Sequence, residues 1–258
     1  MKPAKEIPRI SPLDKATFYR DFVSKNKPVI IEGLVNDWPA MKKWNMNFFA
    51  ENFSKVEPVT IAVKNGKCDV TIENGVQISY TAIEKTINKI VEGNVQNGFA
   101  IATTDDVFPP DFKNDYPPPA YCADGWYLRT RIFMGAAGTT TWLHQDLFEN
   151  LYTMVKGEKH IILFSPSDSV YPQSRFSKLP NHAQPDVGNI DYEKFPRMKN
   201  AQPYVVDLKV GETLFLPSLW WHYLQNKEES IAVSFWWTYG LLLPVVWAAA
   251  QYKKLREI

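Results

Sequence analysis

Hydrophobic positions in the first third of the chain alternate between helical and strand-like spacing. In "SPLDKATFYRDFVSKN", Phe18 and Phe22 lie four residues apart and share one face of a helix. Ser11 suits the N-cap of that helix, and Pro12 suits its first turn. "KPVIIEGL" is a short apolar strand that ends at Gly33. The pattern therefore predicts a region of mixed helix and strand.

A second helix is predicted from Thr81 onward. Thr81 and Glu84 have the spacing of a capping box. An apolar stripe follows at helical intervals and consists of Ile83, Ile87, Ile90 and Val91. Gly93 is positioned to end the helix.

Prolines interrupt the pattern after this helix. "VFPPDFKNDYPPPAY" carries five prolines between residues 109 and 119, so neither a helix nor a central strand is expected there. We interpret the segment as an extended surface connection. It divides an N-terminal part, residues 1–120, from a second part, residues 121–239.

The second part reads as many short strands separated by turn-forming residues. These are "WYLRTRIFMG", "TTTWLHQD", "LYTMVKG", "KHIILFSP", "PYVVDLKVG", "ETLFLPS", "WWHYLQN" and "SIAVSFWWTY". Short strands at this spacing predict a sandwich or a barrel. A long polar, proline-rich segment between the fourth and fifth strands is expected to be functional or mobile. Residues 240–258 predict an apolar C-terminal helix with a charged end.

Composition narrows the class of protein. The 258 residues include 45% hydrophobic residues, which is ordinary for a chain with a substantial core. Lys and Arg number 29 against 28 Asp and Glu, which argues against a broad electrostatic surface for nucleic acid or acidic membrane. Cys68 and Cys122 are too few for a disulfide framework. Without a secretory leader or a long enough apolar run, we expect a soluble cytoplasmic protein.

Candidate metal chemistry first appears in the tripeptide "HQD". In a strand, residues i and i+2 point the same way, so His144 and Asp146 project from one face, close enough to hold one ion. A chance occurrence of this tripeptide is the plainer alternative. Two imidazoles and one carboxylate would form the facial triad of non-haem Fe(II) oxygenases, which leaves three coordination positions open.

The third ligand must come from elsewhere in the chain. The remaining histidines are His160, His182 and His222. His160 is one residue out of phase with Lys159, and His182 lies in the long polar segment. His222 is flanked by tryptophans in a later strand, and we favour it, although a histidine there is also compatible with an ordinary core position.

Lys159 is the second unusual residue. It opens the strand "KHIILF", in which Ile161 and Leu163 share its face, so its side chain is expected to point inward among apolar groups. A lysine is seldom buried without an anionic partner. The alternatives are that Lys159 binds a carboxylate inside the barrel or that it reaches solvent at the strand end.

These residues together resemble the JmjC group of Fe(II)- and 2-oxoglutarate-dependent oxygenases, in particular the cupin-like protein hydroxylases. The asparaginyl hydroxylase that inhibits hypoxia-inducible factor and the small JmjC lysyl hydroxylases carry a similar pattern. It consists of Thr141, His144, Asp146, Asn150 and Lys159, followed by His222 in "GETLFLPSLWWHYLQ". "KPVIIEGLVNDWPAMKKW" and "IAVSFWW" extend the resemblance to most of the chain.

The resemblance implies a mainly β fold with flanking helices. This would be a double-stranded β-helix, or jelly-roll cupin barrel, with an N-terminal elaboration and a C-terminal helix. It also implies that His144, Asp146 and His222 bind Fe(II), with 2-oxoglutarate and O2 as co-substrates. The residues expected to contact 2-oxoglutarate are Thr141, Asn150, Lys159 and Ser234. Two departures stand out, because relatives often carry Asn at the position of Ser234 and Tyr where we align Phe99.

The function implied is hydroxylation of a C–H bond with release of succinate and CO2. A protein or peptide side chain is the favoured substrate, and Arg129 and Arg131 either line a pocket for it or lie on a solvated face. The alternatives are a catalytically silent cupin binding module, an oxygenase acting on transfer RNA or a small molecule, and a metal cupin that uses no 2-oxoglutarate. The C-terminal segment predicts a homodimer, or else packing on its own barrel.

Overall fold

The computed structural model describes residues 1–68, 70–71, 75–76, 78–122 and 126–238. The predicted C-terminal helix and dimer contact, residues 240–258, lie outside these residues. The α-helices are α1 (Lys15–Phe18), α2 (Ala40–Lys43), α3 (Met46–Phe53) and α4 (Ile83–Val91). A π-helical turn, Tyr19–Val23, follows α1, and short 3-10 helices span Asp105–Val107, Pro110–Asp115 and Pro196–Asn200.

The strands form two groups along the chain. The first group is β1 (Lys5–Glu6), β2 (Arg9–Ile10), β3 (Val29–Glu32), β4 (Val59–Lys64), β5 (Lys67–Cys68), β6 (Val70–Thr71), β7 (Gly75–Val76), β8 (Ile78–Tyr80) and β9 (Asn97–Thr104). The second is β10 (Trp126–Gly135), β11 (Thr140–His144), β12 (Glu149–Lys156), β13 (Lys159–Phe164), β14 (Tyr204–Leu208), β15 (Glu212–Leu216), β16 (Trp221–Asn226) and β17 (Ser230–Thr238).

The second group winds into a double-stranded β-helix, which confirms the predicted fold. Antiparallel pairing gives one sheet in the order β10-β17-β12-β15 and another in the order β14-β13-β16-β11. Apolar side chains of both sheets meet in one buried cluster, which includes Met154, Ile161, Leu163, Leu214 and Ala232. This cluster fills part of the space between the sheets and leaves the polar residues beside it to line a site.

The N-terminal part extends the barrel. Strand β3 pairs with β15, and β9 pairs with β10, both in antiparallel register. A larger apolar cluster joins helices α2, α3 and α4 to β10, β12 and β17 and buries Trp38, Phe49 and Trp237. The N-terminal elements therefore pack on the outer face of one barrel sheet.

The first helix begins later than its sequence predicts. Its N-cap is Asp14, whose Oδ1 accepts a hydrogen bond from the Thr17 amide at 2.9 Å, so the assignment of Ser11 was wrong. The cause is a tertiary contact with a distant part of the chain. The Leu13 backbone exchanges hydrogen bonds of 2.9 and 2.7 Å with the Tyr121 hydroxyl, which holds the residues before Asp14 outside the helix.

Helix α4 lacks the predicted capping box. Its N-cap is Ala82, which makes no side-chain cap hydrogen bond. The Ile83 amide instead donates to the Val56 carbonyl at 2.8 Å, so a neighbouring segment satisfies the helix terminus. Ile83, Ile87 and Ile90 are buried as predicted, whereas Val91 is 55% exposed.

The proline-rich segment is not a surface connection. A 3-10 helix over Pro110–Asp115 turns Phe112 and Tyr116 into the core. The Phe112 ring stacks on Trp44 with ring centroids 4.9 Å apart. The prolines exclude an α-helix but permit a tighter turn, and the aromatic residues between them provide the packing.

The long segment between β13 and β14 packs on the outer face of the barrel sheet that contains β11, β13 and β16. It packs Val170, Ala183, Val187 and Phe195 against Leu143 and Trp221 in a separate apolar cluster. Among the described residues, no helix combines the length and apolar character needed to cross a membrane.

Candidate metal centre

Two neighbouring strands bring His144 and His222 together. Strands β11 and β16 are antiparallel, and His144 lies directly opposite His222. The register between them shifts by a bulge between Thr141 and His144. In a regular strand, residues three apart point to opposite faces, so this bulge is what lets Thr141 and His144 both face inward.

Asp146 completes the group just after the end of β11. Its Oδ2 lies 3.9 Å from His144 Nε2 and 3.6 Å from His222 Nε2. One donor atom from each of the three residues lies within 4.8 Å of the others. The Leu219 amide donates to the Asp146 carbonyl at 2.7 Å and ties this turn to the segment before β16.

Both imidazoles are oriented by the same device. His144 Nδ1 lies 2.8 Å from the Trp142 carbonyl oxygen, and His222 Nδ1 lies 2.9 Å from the Trp220 carbonyl oxygen. A carbonyl can only accept, so each Nδ1 carries the hydrogen and each Nε2 keeps its lone pair. Burial, and then the neighbouring His144, lower the pKa of His222 well below its usual range. Two imidazoles and a carboxylate fit a divalent metal such as Fe(II).

Lys159 lies inside the barrel, on the same face as His222. It pairs with Asn226 across β13 and β16, and the residue is only 7% exposed. Its Nζ lies 5.6 Å from the centre of the Tyr152 ring, and it has no ion-pair partner among the described residues. Burial lowers the pKa of Lys159 to about 8. A buried ammonium without a carboxylate is suited to bind an anionic ligand.

Asn150 and Ser234 lie on the other barrel sheet, on the same inner face as Tyr152. The Ser234 hydroxyl donates to Asn150 Oδ1 at 2.6 Å, and both side chains are buried. This bond orients the Asn150 amide so that its NH2 group is turned away from Ser234. The structure thus gives Ser234 a protein partner that its sequence context did not suggest.

Cys68 is a residue that sequence reasoning missed. The Thr141 hydroxyl and the Lys159 ammonium both act on its thiol, although burial outweighs them and raises the pKa of Cys68 to about 11. Cys68 lies in a strand of two residues, so no periodicity in the sequence could have marked it.

Phe99, which we aligned with a tyrosine of relatives, contacts α4 instead. Its ring lies 4.5 Å from Lys89 Nζ on that helix.

His182 was also set aside on sequence grounds, because it lies in the long polar segment. The structure pairs it with His144 in an isolated antiparallel bridge, with ring centroids 5.3 Å apart. Burial, followed by the charge of His144, lowers the pKa of His182 to about 3. The only sequence signal for this placement was the position of His182 in a polar loop, since loops often carry functional residues.

Arg131 lies opposite Ser234 across β10 and β17, and therefore on the barrel's inner face. Its guanidinium carbon lies 4.7 Å from the centre of the Trp236 ring. Trp236 also stacks on Phe148, with ring centroids 5.8 Å apart. Arg131, Trp236 and Phe148 are half-buried, which favours the predicted pocket lining for Arg131, whereas Arg129 is exposed, as the solvated-face alternative expected.

Comparison with known proteins gives a consistent result. A family model described as the cupin-like domain matches residues 15–240. The chain is 32% identical to lysine-specific demethylase 8 of Danio rerio over 249 residues, which are 92% of this chain and 60% of that protein. It is 26% identical to the human bifunctional peptidase and (3S)-lysyl hydroxylase JMJD7 over 258 residues, or 85% of this chain and 80% of that protein.

A third relative has a nucleic-acid name. The chain is 25% identical to tRNA wybutosine-synthesizing protein 5 of Gallus gallus over 255 residues, which are 92% of this chain and 78% of that protein. The chain spans between 53% and 60% of the length of the two demethylase 8 proteins from Xenopus tropicalis and Danio rerio. Two of the three relatives thus have names that give lysine, and the name of the third gives transfer RNA.

Proposed function

Because the chain belongs to the cupin-like JmjC family, whose oxygenases use Fe(II), 2-oxoglutarate and O2, we propose that it hydroxylates a protein or peptide side chain. One observation carries this proposal. Two imidazoles and a carboxylate that could hold a metal lie on the same inner face of one barrel sheet as a buried ammonium, which has no carboxylate partner among the described residues. Such a pair is suited to a dianion that chelates a metal at one end.

In this proposal His144, Asp146 and His222 hold Fe(II), since their donor atoms converge within 4.8 Å. When bound, Fe(II) and 2-oxoglutarate supply the O2 activation that inserts one oxygen atom into a C–H bond, with release of succinate and CO2. The chain's own contribution is to bind and orient these groups and to exclude water.

The spacing of Lys159 supports its role at the far carboxylate. His222 on β16 pairs with Leu163 on β13. Lys159 lies on β13, four residues before Leu163. At about 3.3 Å per residue this is roughly 13 Å, a distance that a lysine side chain and a five-carbon diacid span together. Thr141, on β11 beyond β16, supplies a hydroxyl beside the Cys68 thiol, which also feels the charge of Lys159, for the same carboxylate.

Asn150 and Ser234 act together in this proposal. Ser234 donates to Asn150 Oδ1, and this leaves the Asn150 amide hydrogens for the metal-bound end of 2-oxoglutarate. Ser234 then contributes to co-substrate binding by holding Asn150, rather than through a long contact of its own.

A protein or peptide substrate is supported by the relatives named as a lysine-specific demethylase and a lysyl hydroxylase. The relative named for tRNA wybutosine synthesis makes an RNA substrate the second candidate. The net charge of +1 favours the first, because RNA binding generally uses a clearly basic surface. Gain of one oxygen atom by the product indicates hydroxylation, whereas loss of a methyl group as formaldehyde indicates demethylation.

Uncoupled turnover tests the proposal. Purified protein, Fe(II), ascorbate and labelled 2-oxoglutarate are mixed in air, and labelled succinate is measured. We expect succinate from the wild type and from His160→Ala, whose imidazole lies on the opposite strand face beside Asp207, but none from His144→Ala. Absence of both succinate and 2-oxoglutarate binding in the wild type would favour the silent binding module instead.

Two smaller proposals accompany this function. We assign the protein to the cytoplasm, because Cys68 and Cys122 are both buried as free thiols. We also retain the homodimer through residues 240–258. Sedimentation at micromolar concentration tests it, and a monomeric mass would contradict it.

A further inference from the structure

Residues 181–183 of the long segment form an isolated antiparallel bridge with β11. The Gln145 amide donates to the Asn181 carbonyl at 2.9 Å, and the Ala183 amide donates to the Leu143 carbonyl at 2.8 Å. His182 and His144 are thereby direct antiparallel partners. Directly paired residues project from the same face, so His182 faces the metal cluster.

Three imidazoles consequently form a row across adjacent strands. The ring centroids of His222 and His144 are 4.0 Å apart, and those of His144 and His182 are 5.3 Å apart. The described residues contain one group of metal donors within mutual reach, and His182 is not part of it. His182 is therefore a neighbour of the proposed metal ligands and not a fourth ligand.

The backbone holds His182 firmly. Its carbonyl accepts from the Gln173 amide at 2.8 Å, and its own amide donates to the Leu179 carbonyl at 3.0 Å. The Trp142 indole donates to the adjacent Ala183 carbonyl at 3.0 Å. The residue itself is only 9% exposed. These hydrogen bonds fix the position of His182 within the long segment.

The hydrogen bonds also determine which ring nitrogen is free. Asn181 Nδ2 donates to the Gln145 carbonyl at 3.1 Å, which identifies Asn181 Oδ1 as the acceptor end of that amide. His182 Nδ1 lies 3.0 Å from Asn181 Oδ1, so Nδ1 carries the hydrogen. Nε2 then has a lone pair, and no donor contacts it among the residues that the structure describes.

We propose that His182 is a specificity-determining residue that accepts, at Nε2, a hydrogen bond from an N–H or O–H group on the side chain to be oxidised. This rests on the proposed function and deepens it. The substrate residue would be one that carries a donor, such as lysine, arginine, asparagine or glutamine. An ionised aspartate or glutamate has only lone pairs to offer and would be rejected.

The first test needs no activity. In apo protein labelled with 15N-histidine, nuclear magnetic resonance should show His182 as the Nδ1–H tautomer with an unprotonated Nε2. The His182→Gln variant assigns its signals, and His160→Gln serves as the matched control on the outer strand face. An Nε2–H tautomer would overturn the proposal whether or not the protein turns over 2-oxoglutarate.

The second test uses synthetic peptides of one glycine–serine frame with a central Lys, Arg, Asn, Gln, Asp or Glu. We expect oxygen incorporation only in donor-bearing peptides. His182→Ala should lower kcat/KM for them at least tenfold, mainly through KM. His182→Gln should restore most of this loss, because its amide oxygen replaces Nε2 as acceptor. The control His160→Gln, on the outer strand face beside Asp207, should leave kcat/KM within twofold of the wild type.

The outcomes separate the two proposals. Acidic peptides that react as well as donor-bearing ones would overturn the role of His182, as would an unchanged kcat/KM in His182→Ala. So would a wild type that forms succinate yet oxidises no donor-bearing peptide. Loss of 2-oxoglutarate binding and turnover in the wild type would instead contradict the proposed function, while the tautomer still decides the state of His182.

Discussion

The two ends of the barrel's inner face carry opposite kinds of binding group. At the metal end, His144 and His222 each engage Nδ1 with a backbone carbonyl and turn Nε2 toward Asp146. At the other end, which we call the lysine end and define as Lys159, Tyr152 and Cys68, a buried ammonium lacks any carboxylate partner among the described residues. One end presents lone pairs, and the other presents a cation.

This difference indicates what each end binds. Converging lone pairs repel one another until a cation enters, and a buried ammonium is costly until an anion arrives. The lowered pKa of Lys159, about 8 against 10.5, corresponds to about 3 kcal/mol. A single dianion can bind the metal ion at one end of the site and pair with the buried ammonium at the other. We therefore treat the two ends as one site.

The largest expected effect comes from breaking the metal end. Asp146→Ala removes the one negative donor from the cluster, so we expect the Fe(II) affinity to fall by at least about 100-fold. Anaerobic titration with Fe(II) measures this. His160→Ala is the control, because its imidazole contacts Asp207 on the opposite strand face and should leave the affinity unchanged. Retained affinity in Asp146→Ala would place the metal elsewhere.

Breaking the lysine end should affect the co-substrate and not the metal. Lys159→Met removes the buried charge, and we expect the Kd for 2-oxoglutarate to rise about 100-fold with little change for Fe(II). Calorimetry on anaerobic Fe(II)-loaded protein measures both. Lys156→Met is the matched control, since that lysine pairs with Glu229 at the half-buried end of β12.

The same substitution should stabilise the protein without its ligands. An unpaired buried ammonium disfavours folding, so Lys159→Met should raise the free energy of unfolding by up to about 3 kcal/mol at neutral pH. Urea unfolding of the apo protein measures this. A variant that is less stable than wild type would mean that Lys159 has a stabilising partner, and it would remove the basis of the comparison.

A pH titration sharpens the comparison. The pKa of Lys159 in the folded chain, about 8, lies below its unfolded value of 10.5, so the folded state binds fewer protons between these values. The unfolding free energy of the apo protein should therefore rise as pH increases from about 8 to 10.5. The 2-oxoglutarate affinity should instead fall about tenfold near pH 9, because only the ammonium attracts the dianion. Lys159→Arg should show a flatter binding profile.

The sequence predicted the barrel and the residues of the candidate triad for different reasons. The eight barrel strands follow from alternation and turn residues, which are local signals. The convergence of His144 and His222 depends on strand pairing across about eighty residues and on a bulge. The sequence suggested it only through the small number of histidines and the resemblance to a family. Alternation alone would have placed Thr141 and His144 on opposite faces.

The errors have a common physical origin. Ser11 was displaced as N-cap by hydrogen bonds between Leu13 and Tyr121, and the cap of α4 was replaced by the Val56 carbonyl. His182 and Cys68 reach the site through pairings of a loop and of a two-residue strand. In each case a segment distant in sequence supplied the contact. A pattern within a short stretch of sequence cannot reveal such a contact.

The smallest effect is expected at the thiol of the lysine end. Cys68→Ala removes a weak donor beside Thr141 and leaves the charge of Lys159 intact, so the Kd for 2-oxoglutarate should rise only about two- to threefold. Calorimetry is again the measurement, and Cys122→Ala is the control, because that buried thiol donates to the Pro119 carbonyl outside the site. A loss as large as that of Lys159→Met would mean that the thiol, and not the ammonium, dominates anion binding at this end.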